Sequence, residues 1–306
     1  MLTPSQARSV VEAATAAPSV HNSQPWLFSV LPDRVRVRPD RSRLLPRQDP
    51  AGRELHISCG AASLNAQLAL RALGMSGTPT LLPEPDVVAD LALVHATPAS
   101  AHELRLLAAI PRRHTDRSPF SDEPVSSHVL DRLGQAAEAE GAWLQVLSTG
   151  DMLELAVLQA HAQASLQTDV PAQQERAAWG RDEAAPADGL PADLVPGWSP
   201  ANSPPGVIRE TSIRDVVLVL GTSGDEPVDW VRSGRALARL LLEATDAGLV
   251  AAPATLALEL PTVRDALRGV LALHGAPQMV LRTGYPSGLG TARTGRRPVE
   301  QVLVAD

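Results

Sequence analysis

The sequence predicts a mixed helix-and-strand protein assembled from two related halves, and three observations lead there. Two Ala- and Leu-rich stretches, residues 54–73 and 230–247, are apolar around most of their circumference, as helices buried on several sides are. Each ends at a glycine, Gly74 and Gly248, which suits a helix C-terminus. Short apolar or alternating runs, such as 27–31, 35–37 and 216–220, have the length and composition of strands. Finally, Cys59-Gly60-Ala61-Ala62 resembles Ser233-Gly234-Arg235-Ala236. Each of these glycines is followed at the same spacing by the helix-ending glycine, with Ala62 matching Ala236 and Leu68 matching Leu242.

The elements follow in order. A helix over 4–16 runs into the bend Ala17-Pro18-Ser19-Val20-His21-Asn22-Ser23-Gln24-Pro25-Trp26, and Pro18 and Pro25 keep helix and ladder from running through it. A hairpin pairs 27–31 with 35–37 across Pro32-Asp33-Arg34. An Arg-rich surface segment, 38–53, leads to the helix at 54–73, a strand at 90–95 and a helix at 101–110. A second basic stretch, Arg112-Arg113-His114-Thr115-Asp116-Arg117, precedes a helix at 129–140, a strand at 143–147 and a helix at 152–167. Residues 171–209 are rich in Pro, Ala and Gly and are expected to be irregular. They contain Trp179 and Trp198, which favour a lid that packs on something over a linker. A strand at 216–220, the helix at 230–247, a loop or strand at 248–256, a helix at 260–271 and a strand at 278–282 complete the order before a tail with Arg293, Arg296 and Arg297.

The repeat extends beyond the two long helices. Residues 10–30 resemble 129–146, with Trp26 matching Trp143. The second copy lacks the Pro-Ser-x-x-Asn-x-Gln-Pro bend and reads Glu140-Gly141-Ala142 in its place. The first has no counterpart of Arg113-His114-Thr115. Each copy has lost what the other kept.

Composition removes several kinds of chemistry. The chain has 306 residues and a net charge of −7, which gives no general affinity for nucleic acid or anionic membranes. A single cysteine, Cys59, rules out an intrachain disulfide, a C-x-x-C redox motif and a cysteine-rich zinc site. No metal site and no protein acid or base for catalysis is expected. No apolar run reaches the length of a membrane span. The start has neither a basic region nor a continuous apolar core of the secretory type, so the cytoplasm is the default compartment. All 27 basic residues are Arg. Without Lys there is no Walker A loop and no Schiff base, and any anion must be held by Arg, hydroxyls or backbone N–H groups.

Two features carry chemistry. The bend offers Ser19, Asn22, Ser23 and Gln24 from a loop fixed at both ends, which suits a flat, heteroatom-rich ligand. It also reads as an ordinary helix-stop loop in which Trp26 packs into the core. The clusters Arg112/Arg113/Arg117 and Arg293/Arg296/Arg297 each lie beside Pro and Thr, in a pattern suited to bidentate phosphate binding. Solvated surface Arg is the alternative.

Ala17-Pro18-Ser19-Val20-His21-Asn22-Ser23-Gln24-Pro25-Trp26 resembles the A-P-S-x-x-N-x-Q-P-W loop of the nitroreductase superfamily. Arg113-His114-Thr115-Asp116-Arg117 with Phe120 resembles that family's R-x-[ST]-x-[RK]…F phosphate arm. Gly284-Tyr285-Pro286 with Arg296-Arg297-Pro298 resembles its closing segment. Having the loop first and the arm in mid-chain is similar to the Acg subfamily of actinobacteria, in which two nitroreductase-like halves are fused. The resemblance implies an α+β nitroreductase fold that forms an intramolecular pseudo-dimer: half one over 1–110, half two over 111–306, and a lid at 171–209. It implies FMN, held at the phosphate and ribityl chain by Arg113, His114, Thr115, Arg117, Arg296 and Arg297. Pro18, Ser19, Asn22, Gln24 and Trp26 would face the flavin from the other half, and Ala254, Thr255 and Leu256 would lie along its ring. Simple members often carry Glu-Gly at that last place, so Thr255-Leu256 is a departure. The implied activity is reduction of nitroaromatic or quinone-like acceptors with NAD(P)H, by a monomeric pseudo-dimer or weak dimer. The alternative is a protein that stores FMN beneath the lid without turnover.

Overall fold

The computed structural model describes residues 1–76, 79–95, 97–181, 190–191, 216–288 and 293–305. Trp198 and most of the expected lid lie outside the described residues. The first half begins with α1 (Pro4–Thr15), started by Pro4 and a capping box between Thr3 and Gln6. It continues through β1 (Trp26–Val30), β2 (Arg34–Pro39), α2 (Arg53–Ala72), β3 (Met75–Ser76), β4 (Thr80–Glu84), β5 (Val87–Ala92), β6 (Val94–His95) and α3 (Ala101–Ala109). The second half contains α4 (Ser127–Glu138), β7 (Trp143–Val146), α5 (Thr149–Thr168), α6 (Val170–Ala178), β8 (Gly180–Arg181), β9 (Leu190–Pro191), β10 (Val216–Thr222), α7 (Pro227–Asp246), β11 (Val250–Pro253), α8 (Leu256–Glu259), α9 (Pro261–Val270), β12 (Ala276–Gly284) and α10 (Val299–Val302).

Each half builds an antiparallel four-stranded sheet, ordered β1-β2-β5-β4 in the first and β7-β10-β12-β11 in the second. With the strands of each sheet counted in chain order, both run first, second, fourth, third. One face of the first sheet packs on helices. Trp26, Phe28, Val35, Val37, Ala89 and Leu91 pack on α1 and α2. The opposite face carries an ion-pair ladder, Arg34–Asp90 at 3.0 Å, Arg36–Asp90 at 3.4 Å and Arg36–Glu84 at 2.8 Å. This arrangement accounts for the alternating Arg-Val-Arg-Val-Arg of β2. The second sheet is covered on both faces. Leu218, Leu220 and Leu281 face α4 and α7, while Val217, Val219 and Val280 face α5, α8 and α9. A strand buried on both sides reads as an unbroken apolar run, as β10 does.

α2 and α7 cross at the centre. A methyl group on Gly60 would overlap the carbonyl of Val231, and one on Gly234 would overlap the carbonyl of Ile57. Val231 follows Ile57 by the same number of residues as Gly234 follows Gly60, so the contact is reciprocal, as at a two-fold interface. The halves also exchange segments. α3 of the first packs on α7 of the second through His102–Glu243 and Arg105–Asp246. The tail of the second crosses to the first, where the Val304 N–H donates to the Phe28 carbonyl at 2.9 Å.

Three sequence expectations are corrected. Residues 171–178 belong to α6, begun by Asp169, whose carboxylate accepts the Ala172 N–H at 3.0 Å. Propensity is overridden there because Pro171 sits in the first turn, where its missing donor costs nothing. The strand expected at 90–95 begins earlier, at Val87, and breaks after Ala92. β4 was not expected. Its positive φ at Leu82 and register shift between Leu81 and Glu84 make an edge strand that no alternation announces.

Candidate functional site

The site forms where α1 ends. After its C-cap, Ala16, the chain enters a bend in which His21 (φ 47°), Asn22 (φ 53°) and Gln24 (φ 49°) all adopt left-handed backbone conformations. Three such non-glycine residues within four positions cost on the order of 1 kcal/mol or more each, so the surroundings must impose the shape. The Gln24 N–H donates to Ser19 Oγ at 3.0 Å. Gln48 and Arg43 of the same half bond His21 and the Ser23 carbonyl, and further constraints come from the tail of the other half. Asn22 Nδ2 donates to the Gly295 carbonyl at 3.2 Å, and Arg296 Nη1 donates to Asn22 Oδ1 at 3.2 Å. The Arg297 N–H donates to Gln24 Oε1 at 2.8 Å.

The two tail arginines have different surroundings. Arg297 donates to the Gln24 carbonyl (3.1 Å), to Asp40 Oδ2 (3.1 Å) and to the Gln301 carbonyl (3.1 Å), so its charge is matched by a carboxylate. Asp40 reaches it because β1 and β2 pair Trp26 with Pro39, and the Asp40 N–H continues the ladder to the Pro25 carbonyl at 3.0 Å. Arg296 has no carboxylate partner among the described residues. It reaches the Ala16 carbonyl at 3.4 Å, and Arg113 Nη2 donates to the same carbonyl at 3.2 Å. Arg293 caps the Pro111 carbonyl nearby at 2.7 Å. Burial, aided by repulsion from Arg296 and Arg293, lowers the Arg113 guanidinium to about 9, and burial lowers Arg296 to about 10. Nε of both groups is buried without a hydrogen-bond partner. Adjacent buried cations without a carboxylate are costly, and a bound anion would remove the cost.

Asp116 and Thr115 hold this arm against the second sheet. Thr115 bridges Ala251 of β11, and the Asp116 N–H donates to the Ala251 carbonyl at 3.1 Å. β11 then leads to Ala254, whose carbonyl accepts from Gln159 Nε2 at 2.9 Å. His21, one turn into the bend, is buried, and its Nε2 donates to Gln48 Oε1 at 2.7 Å. Burial, with smaller contributions from Arg176 and Arg117, pushes its imidazole down to about 4, so it is neutral at pH 7.

The structure thus brings Ser19, Asn22, Gln24, Arg113, Arg296 and Arg297 into one hydrogen-bonded constellation around the Ala16 carbonyl and the bend. Pro18 stands half-buried at the start of that bend. Trp26 is fully buried in the first half's apolar core. His114 turns back to the Arg112 carbonyl at 3.2 Å. Arg117 is exposed to solvent, while the neighbouring protein mass lowers its pKa by desolvation. Thr255 and Leu256 sit at the start of α8, where the Leu258 N–H donates to the Thr255 carbonyl at 2.7 Å. Sequence reading missed Asp40, Gln48 and the Gly295 carbonyl. The hairpin register was the one signal that could have placed Asp40 beside Pro25.

No protein-family model matches the chain. Among solved structures, the nitroreductase with bound FMN from Bacteroides fragilis NCTC 9343 is similar over 66% of this chain and 98% of its own, with 12% identity and a TM-score of 0.44. The Mycobacterium tuberculosis H37Rv protein named "Putative NAD(P)H nitroreductase acg" is 29% identical over 321 residues, 99% of this chain and 96% of its own length. "Putative NAD(P)H nitroreductase Rv3131" of the same strain is 34% identical over 319 residues, 97% of this chain and 90% of its own. Likeness at that level, sustained from one end of the chain to the other, means that the chain belongs to the NAD(P)H nitroreductase family, in the branch that includes acg.

Proposed function

We propose that this chain is an FMN-dependent oxidoreductase that uses NAD(P)H to reduce nitroaromatic or quinone-like acceptors. The observation that carries the reading is the convergence of Arg113 and Arg296 on the Ala16 carbonyl, with no carboxylate to match them among the described residues. Their buried, unpartnered Nε groups fit a phosphate. In this reading Arg113, Arg296, Arg117 and Thr115 hold the phosphate and ribityl chain, with His114 as a neighbour. Pro18, Ser19, Asn22 and Gln24 orient the ring from the other half, and Thr255 and Leu256 lie along it. Trp26 and Arg297 hold the bend in place from behind. Bound FMN supplies the hydride chemistry, and the protein contributes binding, orientation and exclusion of water.

We infer further that the two halves, 1–110 and 111–306, arose by duplication, and that the chain works as a monomeric pseudo-dimer. The shared strand order and the reciprocal Gly60/Gly234 contact support this. A second reading, storage of FMN without turnover, is favoured by one observation. α6 lies against the bend-supporting segment, with the Glu175 carboxylate accepting the Arg47 and Gln48 N–H groups at 3.0 and 2.9 Å. One experiment addresses both. The as-purified protein should show flavin absorbance, and anaerobic NADPH should bleach it rapidly. Flavin that never bleaches supports storage, and a protein that takes up no FMN overturns both.

A further inference from the structure

Where α3 of the first half meets α4 and α7 of the second, the three helices enclose a cleft of about 260 Å³ to which the bend contributes nothing. Its walls carry His102 of α3, Arg132, Gln135 and Ala136 of α4, and Arg239 and Glu243 of α7. Spacings of three and four residues put each helix's set on one face. Glu243 is buried, and both its oxygens are engaged: His102 Nε2 donates to Oε1, and Arg132 Nη2 donates to Oε2 at 2.6 Å. Arg132 Nη2 also reaches Asp246 at 3.2 Å, and Arg105 approaches the same carboxylate at 3.5 Å. Arg239 donates through Nε and Nη2 to Glu140 Oε1, while Arg235 takes Glu140 Oε2. In this network four guanidinium groups therefore face three carboxylates. Donors are left over as well. Arg132 Nε and Nη1, Arg239 Nη1 and the Gln135 amide have no hydrogen-bond partner among the described residues.

We propose that this cleft binds a hydrogen phosphate ion, held by donors from Arg132, Arg239 and Gln135, with Glu243 accepting the proton that the ion keeps. Size and donor geometry select the ligand class. The cleft is smaller than the about 300–1,000 Å³ of sites that enclose a drug-sized molecule, so a flavin or a nucleotide does not fit and a small ion does. The spare donors come from two helices. A planar carboxylate is served by one guanidinium fork, whereas a tetrahedral oxyanion takes donors from several directions at once. Glu243 then selects among such ions. Each of its oxygens offers about two lone-pair sites and uses one for a protein donor. Phosphate retains at least one proton at neutral pH and can donate it to the free site. Sulfate retains none, and its oxygens meet the carboxylate as a like charge. A bound ion supplies the negative charge that the network lacks. It also joins α4 and α7, which α3 of the first half already contacts through His102, and so stabilises the seam between the halves by mass action.

The site stands on the cleft alone and does not depend on the flavin reading. Isothermal titration of the full-length protein with sodium phosphate and with sodium sulfate, at pH 7 and matched ionic strength, tests it. Wild type should bind phosphate at least about tenfold more tightly than sulfate, the ratio expected from one hydrogen bond to a charged group. Arg239→Gln leaves Glu140 paired one to one with Arg235 and should weaken phosphate binding about tenfold or more. Gln135→Ala changes an exposed residue of α4, so it should fold as wild type and weaken binding several-fold. Glu243→Gln should bring the phosphate and sulfate affinities together, because a neutral amide no longer repels a fully ionised oxyanion. Absence of phosphate binding to wild type overturns the proposal, and so do equal wild-type affinities for the two ions. Binding that Arg113→Ala abolishes while Arg239→Gln and Gln135→Ala leave it intact would place the ion at the bend and overturn it too. Flavin absorbance recorded on the same samples tests the cofactor separately.

Discussion

Gly60 and Gly234 each lie against the backbone of the other's helix, and this reciprocal contact is what lets α2 and α7 cross closely enough to join the two sheets. A close crossing of this kind tolerates no side chain, because the obstacle is a carbonyl on the facing helix and backbone cannot rotate away. Gly60→Ala and Gly234→Ala should each destabilise the protein by about 1–3 kcal/mol or more, as overpacking does. Urea unfolding checks this. A midpoint equal to wild type for either variant would show that the crossing is looser than described.

Arg113 and Arg297 should behave differently, although both belong to clusters singled out by the sequence. Arg113→Ala removes a guanidinium that no carboxylate among the described residues balances, so FMN retention should weaken by about 1.5–3 kcal/mol with little loss of fold stability. Arg113→Lys should restore only part, since Lys lacks the planar fork. Equilibrium dialysis of FMN measures both.

Arg297→Ala, by contrast, leaves Asp40 without its cation and frees Gln24 and the Gln301 carbonyl. The expected outcome is destabilisation of about 3 kcal/mol, read from thermal or urea unfolding, with cofactor loss following from the disordered bend. Unchanged stability with weakened FMN would place Arg297 on the ligand instead.

Under the proposed duplication, Glu140 falls where the second half would carry its counterpart of the bend. It accepts from Arg235 at 2.8 Å and from Arg239 at 2.5 and 2.7 Å, while Arg235 also reaches Ser63 at 3.1 Å and Gln67 at 2.6 Å of α2. Glu140→Ala should cost about 3–5 kcal/mol, because two partly or fully buried guanidinium groups lose their counter-charge. Glu140→Gln should recover a part. A wild-type unfolding midpoint for Glu140→Ala would show that the cluster is dispensable.

His21 gives a pH dependence with a definite sign. Its folded pKa, about 4, is below the ordinary 6.5, so the unfolded chain binds the extra proton between those values. The contribution is fully present above pH 6.5 and is lost as pH falls to about 4. Between pH 7 and 5, His21→Gln should therefore lose less stability than wild type. An identical loss in the two proteins would mean that the imidazole is not held neutral.

Much of the fold could be read from the sequence because burial writes itself into periodicity. α2 announced itself as a helix apolar on all sides, and β10 as an unbroken apolar run. β4 did not, because its irregular edge carries no alternation, and α6 was obscured by a composition typical of loops. At the site, the bend and the arginine clusters stood out as residue types. Which arginine is already neutralised depends on the β1–β2 register and on a tail that crosses from the other half, and neither is encoded in local spacing. Thus Arg296 and Arg297 looked alike in sequence and differ in surroundings.

That crossing tail also fixes an order of events during synthesis. Asn22 and Arg296 stand 274 residues apart, so at ribosomal speeds of about 5–20 residues per second the bend waits on the order of half a minute for the segment that imposes its shape. A nascent chain holding only the first half has Phe28 without its Val304 partner and a left-handed bend without its Gly295, Arg296 and Arg297 contacts. Assembly of the constellation around Ala16 therefore waits until residues 293–297 have been made, and deleting that segment should give a chain in which the bend never takes its bound shape.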